Sequence, residues 1–154
     1  SIPCGNVMKD GKAIWTTGSK GNFIGFTNDN ILMHYSGTPE EAISKGMRDA
    51  VEFGPYLIVN GKPAEVKGNG GWGIAPRTAI AQRKDGIVLL LVVDGRSSSS
   101  IGVDMQELIN IFTRYNAYNA ANLDGGGSSI LYENGKIINN VSKLRYLPTA
   151  WIVK

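Results

Sequence analysis

The chain is nearly without the residues that build metal and redox sites: its 154 residues include one cysteine, Cys4, and one histidine, His34. A lone cysteine closes no internal disulfide, and a lone histidine excludes a zinc site built on several imidazoles. It also argues against a Ser-His-Asp triad, because His34 sits in the strand-like string ILMHY, where sheet packing is the ordinary use of such a residue. No apolar run reaches the roughly 20 residues of a membrane-spanning helix. The 16 Lys and Arg residues and 13 Asp and Glu residues leave a net charge of +3, scattered without the basic stripe that nucleic-acid binding needs, so no nucleic-acid partner is expected. The first residue is Ser1, which reads as a processed or trimmed start and leaves the compartment open.

Apolar residues make up 42% of the chain and charged residues 19%, a core-forming composition at about the length of one domain. Glycine is abundant, and it punctuates. Asp10-Gly11, Asn60-Gly61, Asp85-Gly86 and Asn134-Gly135 each lie between apolar or β-branched residues and supply the positive φ angles of tight hairpin turns. FIGFTNDNILMHY reads as strand, turn, strand. The sequences flanking the recurrent Asn-Gly-Lys do not match one another, so this is repeated turn chemistry rather than an internal repeat.

Two segments read as helices. In GTPEEAISKGMRDAVEFGP, Thr38 is the expected N-cap, Pro39 the first helical residue and Glu41 the partner that completes a capping box. Ile43, Met47, Ala50 and Val51 share one face, and Gly54-Pro55 is expected to end the segment. In VDMQELINIFTRYNA, Asp104 and Glu107 repeat the cap spacing, with Leu108, Ile109, Ile111, Phe112 and Tyr115 as the apolar stripe. The expected fold class is α+β: a mixed, largely antiparallel sheet built from hairpins, with two main amphipathic helices packed on it, as a single domain over residues 1–154.

Candidate functional residues gather in three places. GIVLLLVVDGR holds seven consecutive aliphatics, Ile87 to Val93, and is expected to be a central strand covered on both faces. Asp94, Gly95 and Arg96 stand at its carboxyl end, where open sheets place ligands. Asp124 closes AYNAANLD in the same fashion, and the two carboxylates would meet if their strands are neighbours. In APRTAIAQRKDG, an extended backbone puts Arg77 on one side with Ala79 and Ala81, and Thr78 and Gln82 on the other. A guanidinium among small apolar residues needs a partner, which leaves either a salt bridge to a sheet carboxylate or an anion site.

The third place is DGGGSS. Successive N–H groups in a glycine-rich turn can form an oxyanion-holding concavity, with the Ser128 and Ser129 hydroxyls as further donors. It is not a nucleotide-binding P-loop, which ends in Lys-Ser/Thr, nor a Gly-x-Ser-x-Gly nucleophile elbow. With arginine forks nearby, the outline is a phosphate-ester site. Gly68-Asn-Gly-Gly-Trp72 leads toward Arg77 and suggests a lid, and Trp15, Trp72 and Trp151 are equally suited to stacking on sugars or to core burial.

FGPYLIVNGK, APRTAIAQRKDGIVLLLVVDGR, GVDMQELINI and YNAANLDGGGSSILYENGKIINN, in that order, resemble the phosphodiester glycosidase family. The resemblance implies hydrolysis of a sugar-1-phosphate diester. It assigns catalytic roles to Asp94, Asp124 and Arg77, and substrate binding to Thr78, Gln82, Arg96, Gly125, Gly126, Gly127, Ser128 and Ser129. A phosphate leaving group needs little protonation, so the arginines and the glycine turn would hold its charge while one aspartate acts at the anomeric carbon. The alternative is a non-catalytic module that binds cell-wall phosphosaccharide. No cofactor is required, although a divalent cation such as calcium on Asp94 or Asp124 is compatible with the residues. Family members carry an N-terminal region with an Asn-Gly-Gly-aromatic string that this chain lacks upstream of Phe53, which implies a domain without that portion, its missing strands either lost or supplied by a companion fragment or an oligomer. Ala81 stands where the family's motif often has glycine. The resemblance further implies an extracytoplasmic location, secreted or at the cell surface, and a sugar-phosphate substrate from the envelope or exopolysaccharide.

Overall fold

The computed structural model describes residues 2–68, 70–141 and 143–153. Its frame is set by the turns. Asp10 and Gly11, Asn60 and Gly61, and Asn134 and Gly135 are pairs of positive-φ residues, the type I′ geometry that matches strand twist. They join β1 (Val7–Lys9) to β2 (Lys12–Trp15), β6 (Tyr56–Val59) to β7 (Lys62–Pro63), and β11 (Tyr132–Glu133) to β12 (Lys136–Ile137). Between β8 (Arg77–Arg83) and β9 (Val88–Val93) only Gly86 is left-handed, and Arg83 N bonds Ile87 O around a longer turn. Asn30 does the same between β3 (Gly21–Thr27) and β4 (Leu32–Gly37), with Thr27 N on Ile31 O.

Two antiparallel five-stranded sheets result, ordered β2-β1-β5-β3-β4 and β7-β6-β10-β8-β9, with β5 (Met47–Glu52) and β10 (Ala117–Asn122) in the middle. The α+β class is as expected, with two sheets in place of one. Each sheet follows the same path: hairpin, hairpin, helix, then a strand returning between the hairpins. Ile24 faces Val51 across the ladder as Ile80 faces Ala121. Phe53 N bonds Asn22 O just as Leu123 N bonds Thr78 O. The chain path therefore repeats although the sequence does not.

Alternation along the strands fills three cores. Met8, Phe23, Met47 and Ala50 pack with Ala42 of α1 (Pro39–Ser44). Ala79, Ala81 and Ala120 pack with Met105, Leu108, Ile109 and Phe112 of α2 (Met105–Arg114). Ile24, Leu32, Ile80 and Ala121 meet between the sheets, with Trp151 packed on them. The order is helix, sheet, sheet, helix. Both capping boxes form, Thr38 with Glu41 and Asp104 with Glu107, each cap satisfying N–H groups that a helix start leaves open.

Three expectations are corrected. The first helix ends at Ser44; Gly46 has φ +92°, and Met47, Ala50 and Val51 belong to strand β5. Their spacing suits either period, and the left-handed glycine decides it. The aliphatic strand β9 is an edge, not central, and leaves Val88 42% and Leu90 43% exposed. Tyr115 lies outside the buried stripe of α2, at 60% exposure.

Polar ties hold the sheets in register. Gln82 Oε1 accepts from Leu32 N at 2.7 Å, and its Nε2 donates to Asn30 O at 2.9 Å and Gly86 O at 3.0 Å. Asn119 Nδ2 donates to Leu32 O at 2.8 Å. His34 Nε2 donates to Ala120 O at 3.1 Å, and its ring lies 4.3 Å from that of Tyr56. Gln82→Ala strands a buried N–H and two carbonyls, so unfolding by urea should show a loss of about 1–3 kcal/mol. Burial lowers the His34 pKa below its ordinary 6.5, with the Ala120 bond opposing. The unfolded chain then takes up a proton that the folded one resists. Stability should fall as the pH drops through about 6.5, flattening once folded His34 also protonates. The difference between urea midpoints at pH about 7.5 and about 5.5 should shrink in His34→Gln.

Candidate functional site

Strand direction brings the predicted residues to one end of the second sheet. β9 and β10 both run antiparallel to β8, so the carboxyl ends that carry Asp94 and Asp124 lie beside the amino end that carries Arg77. The two aspartates flank β8 and are not on neighbouring strands.

Arg77 is 4% exposed. Its Nε donates to Val103 O at 3.2 Å, and one terminal nitrogen donates to Trp72 O at 3.0 Å and Gly73 O at 2.5 Å. Among the described residues no carboxylate forms an ion pair with it. Burial lowers its pKa, the nearby Arg96 adds to the shift, and Asp104 opposes it. The partner that its apolar setting demands is therefore a set of carbonyls. Its stem passes beneath the glycine turn, where a Cβ on Gly125 would lie 3.7 Å from Arg77 Cδ.

Each of the three glycines meets a separate constraint. A Cβ on Gly125 would sit 2.8 Å from Pro76 O, and one on Gly127 would sit 2.9 Å from Lys143 O. Gly126 has φ +62°, and a Cβ there would lie 3.3 Å from Arg96 Nη1. Bare backbone is thus required by close packing on both sides and by a left-handed residue between. The expected oxyanion nest is largely spent on the turn itself: Gly126 N bonds Pro76 O, Ser128 N bonds Gly125 O, and Ser129 N bonds Gly126 O. Among the described residues, the N–H groups of Gly125 and Gly127 have no partner.

Asp124 leads into this turn and is half exposed. Its Oδ2 accepts from Ser128 Oγ at 2.6 Å and from the Arg145 guanidinium, whose Nε also donates to Ser128 Oγ at 2.5 Å. Sequence reasoning missed Arg145, which lies in the irregular segment after β12, where neither periodicity nor turn chemistry marks a residue. Asp94 is committed differently. Its Oδ1 accepts from Asn139 Nδ2 at 3.1 Å and Asn140 N at 2.9 Å, and Asn139 Nδ2 also donates to Ser129 O at 2.8 Å. Asp94 braces the strand-end loop against the turn, and Asp124 faces outward beside exposed Arg145, with exposed Arg96 against Gly126.

Thr78 points to the sheet interface; its hydroxyl and that of Ser129 are buried without a protein partner among the described residues. Gln82 is not brought to the cluster, lying at the far end of β8 with its amide fully used. Trp72 is exposed and meets Arg77 through its carbonyl, Trp15 is exposed, and Trp151 packs edge-on against Phe26. Asn69, within the expected lid, lies outside the described residues. Among the described residues no group of three or more His, Cys, Asp and Glu side chains is placed to hold a metal ion, and no helix is long and apolar enough to cross a membrane.

The phosphodiester glycosidase family model matches residues 1–154. The chain is 36% identical over 148 residues to the SPbeta prophage-derived uncharacterized protein YomE of Bacillus subtilis, covering 92% of this chain and 22% of that one. It is 26% identical over 151 residues to N-acetylglucosamine-1-phosphodiester alpha-N-acetylglucosaminidase of Bos taurus, covering 86% of this chain and 28% of the relative. The catalytic domain of the zebrafish enzyme of that name superposes with a TM-score of 0.71 at 24% identity, over 90% of this chain and 50% of that structure, a likeness of fold. The chain thus spans from about a fifth to half of the length of these relatives. With every residue inside the family's profile, the chain belongs to the phosphodiester glycosidase family.

Proposed function

We propose that the chain is a hydrolase that cleaves the glycosidic bond of a sugar-1-phosphate diester, with Asp124 as the reacting carboxylate. The observation that carries this is the convergence of three arginines on the Asp124–Ser129 turn, Arg96 and Arg145 through their guanidinium groups and Arg77 through the stem that lies beneath it. Arg96 and Arg145 are exposed and can meet phosphate oxygens through planar forks. Arg77, behind the turn, adds positive field and fixes its backing. The N–H groups of Gly125 and Gly127 supply further donors.

The chemistry follows from the leaving group. A phosphate monoester is a weak base, so departure from the anomeric carbon needs charge stabilisation more than proton donation. The carbon–oxygen bond breaks with its electron pair on phosphate, and water supplies the new hydroxyl. Asp124 acts at that centre, either taking the proton from the water or attacking first to form an ester that water then opens. Arg145 and Ser128 hold its Oδ2, which aims the other oxygen outward. The family of the relatives, one named for a sugar-1-phosphodiester activity, supports this substrate class. Envelope or exopolysaccharide links outside the cytoplasm are the natural source of such a diester.

The test is incubation with an aryl sugar-1-phosphodiester, with free sugar read by mass spectrometry. Release is expected, and saturable binding with no release would establish the binding module in its place. Asp124→Asn should lower kcat by at least about 100-fold while the thermal midpoint stays within a degree or two, because the carboxylate is half exposed. Arg145→Ala should lower kcat by roughly 100-fold, with Arg145→Lys restoring part of the loss, since lysine keeps the charge without the fork. Parental kcat in Asp124→Asn would overturn the assignment.

A further inference from the structure

The repeated chain path gives the Arg77 site a counterpart in the first sheet. Gly21 opens β3 where Arg77 opens β8, and Glu52 closes β5 where Asn122 closes β10. The absent side chain at position 21 leaves room for a carboxylate: a Cβ there would lie 2.3 Å from Glu52 Cδ. Gly37 pairs with Gly21 across the ladder, and a Cβ on it would lie 2.4 Å from Glu41 Oε2. Two glycines thus form a floor on which two carboxylates lie. Both are fixed in place. Glu52 Oε2 accepts from Asn6 N at 2.8 Å and from the buried Asn6 Nδ2 at 2.6 Å, and Glu41 Oε2 accepts from Thr38 N at 2.8 Å. Asn22 and Ser36, bonded to each other at 2.7 Å, form the rim, and Lys20 lines the same cleft of about 370 Å³.

We infer that this cleft is a second saccharide subsite, which holds a neutral, hydroxyl-rich unit of a longer substrate whose phosphodiester sits at the Asp124 turn. The inference rests on the sugar-phosphodiester reading above. Two carboxylates against one ammonium repel a phosphate, yet carboxylate oxygens accept from vicinal hydroxyls while Lys20 and the Asn22 amide donate. The volume suits about one sugar ring, at the small end of ligand sites. The cleft and the Asp124 turn lie at the same end of the sandwich. Phe53 N bonds Asn22 O, Asn122 Nδ2 bonds Gly54 O at 2.9 Å, and the Tyr56 hydroxyl lies 3.4 Å from Ser36 Oγ. A cationic turn and an anionic cleft at the same end of the sandwich match a chain in which phosphate and neutral polyol units alternate.

Two experiments on the intact chain separate this inference from the activity itself. Exposed Lys20 and Asn22 can be replaced without touching a core. Lys20→Ala/Asn22→Ala should raise KM about tenfold for an oligomeric sugar-phosphodiester with two or more repeats. It should leave kcat and KM for the monomeric aryl diester unchanged. An equal effect on both substrates, or none on the oligomer, overturns the subsite. Independently of turnover, methyl glucoside, a phosphate-free polyol, should shift the amide resonances of residues 20–22 and 36–37 in the parent but not in the variant. Those shifts without cleavage of any diester would keep the subsite and remove the hydrolase; cleavage of the monomer without the shifts would do the reverse.

Discussion

The candidate site depends on one buried cation that has no carboxylate partner among the described residues. Removing a guanidinium from water is costly unless its N–H groups are bonded, and Arg77 meets that demand with the carbonyls of Trp72, Gly73 and Val103. These carbonyls belong to the loop before β8 and the segment before α2, so a single side chain pins both to the strand. The glycine turn then lies against Pro76 and the Arg77 stem. A carboxylate partner would neutralise the charge; carbonyls satisfy the hydrogen bonds and leave the net positive charge in place. The site keeps a fixed positive background, with Arg96 and Arg145 as the exposed cations in front of it.

Much of the frame was legible because it rests on local chemistry. Asn-Gly and Asp-Gly turns need left-handed residues, and capping boxes need a short side chain and a glutamate at fixed spacing, so both announce themselves in the sequence. The period-two reading of APRTAIAQ was legible for the same reason: Ala79 and Ala81 join the α2 core and Ile80 the inter-sheet core. What the sequence hid depends on distant partners. Met47, Ala50 and Val51 fit a helical face as well as a strand. Ile87 to Val93 look fully buried, yet β9 is an edge, because strand order is set by where β10 inserts. Arg145 reaches Asp124 from 21 positions away in sequence, through a segment of no regular structure.

In the glycine turn, close packing comes before any ligand. Gly125 to Gly127 do mark a place where backbone comes close, but what approaches is the protein's own Pro76 and Lys143 carbonyls. Three of the turn's N–H groups are consumed in closing it. The motif therefore acts first as a positioning device: it sets Asp124 at the head of a tight turn, with Ser128 folded back onto the carboxylate. In the proposed reaction, oxyanion binding would fall to the arginines and to the two remaining N–H groups.

The repeat gives this arrangement a physical contrast within the same molecule. At equivalent ends of two sheets with one path, the second places a guanidinium on the strand opening and an amide on the central strand's close, and the first places a bare glycine and a carboxylate. These choices are linked. The space above the first residue of β8 or β3 admits one long side chain, which arrives either from that strand, as Arg77, or from the neighbouring strand, as Glu52. An arginine at position 21 would collide with Glu52 as placed, since even a Cβ there comes within 2.3 Å of it. The fold thus offers two places of opposite sign from one geometric rule. The sign of each is decided by which strand supplies the long side chain.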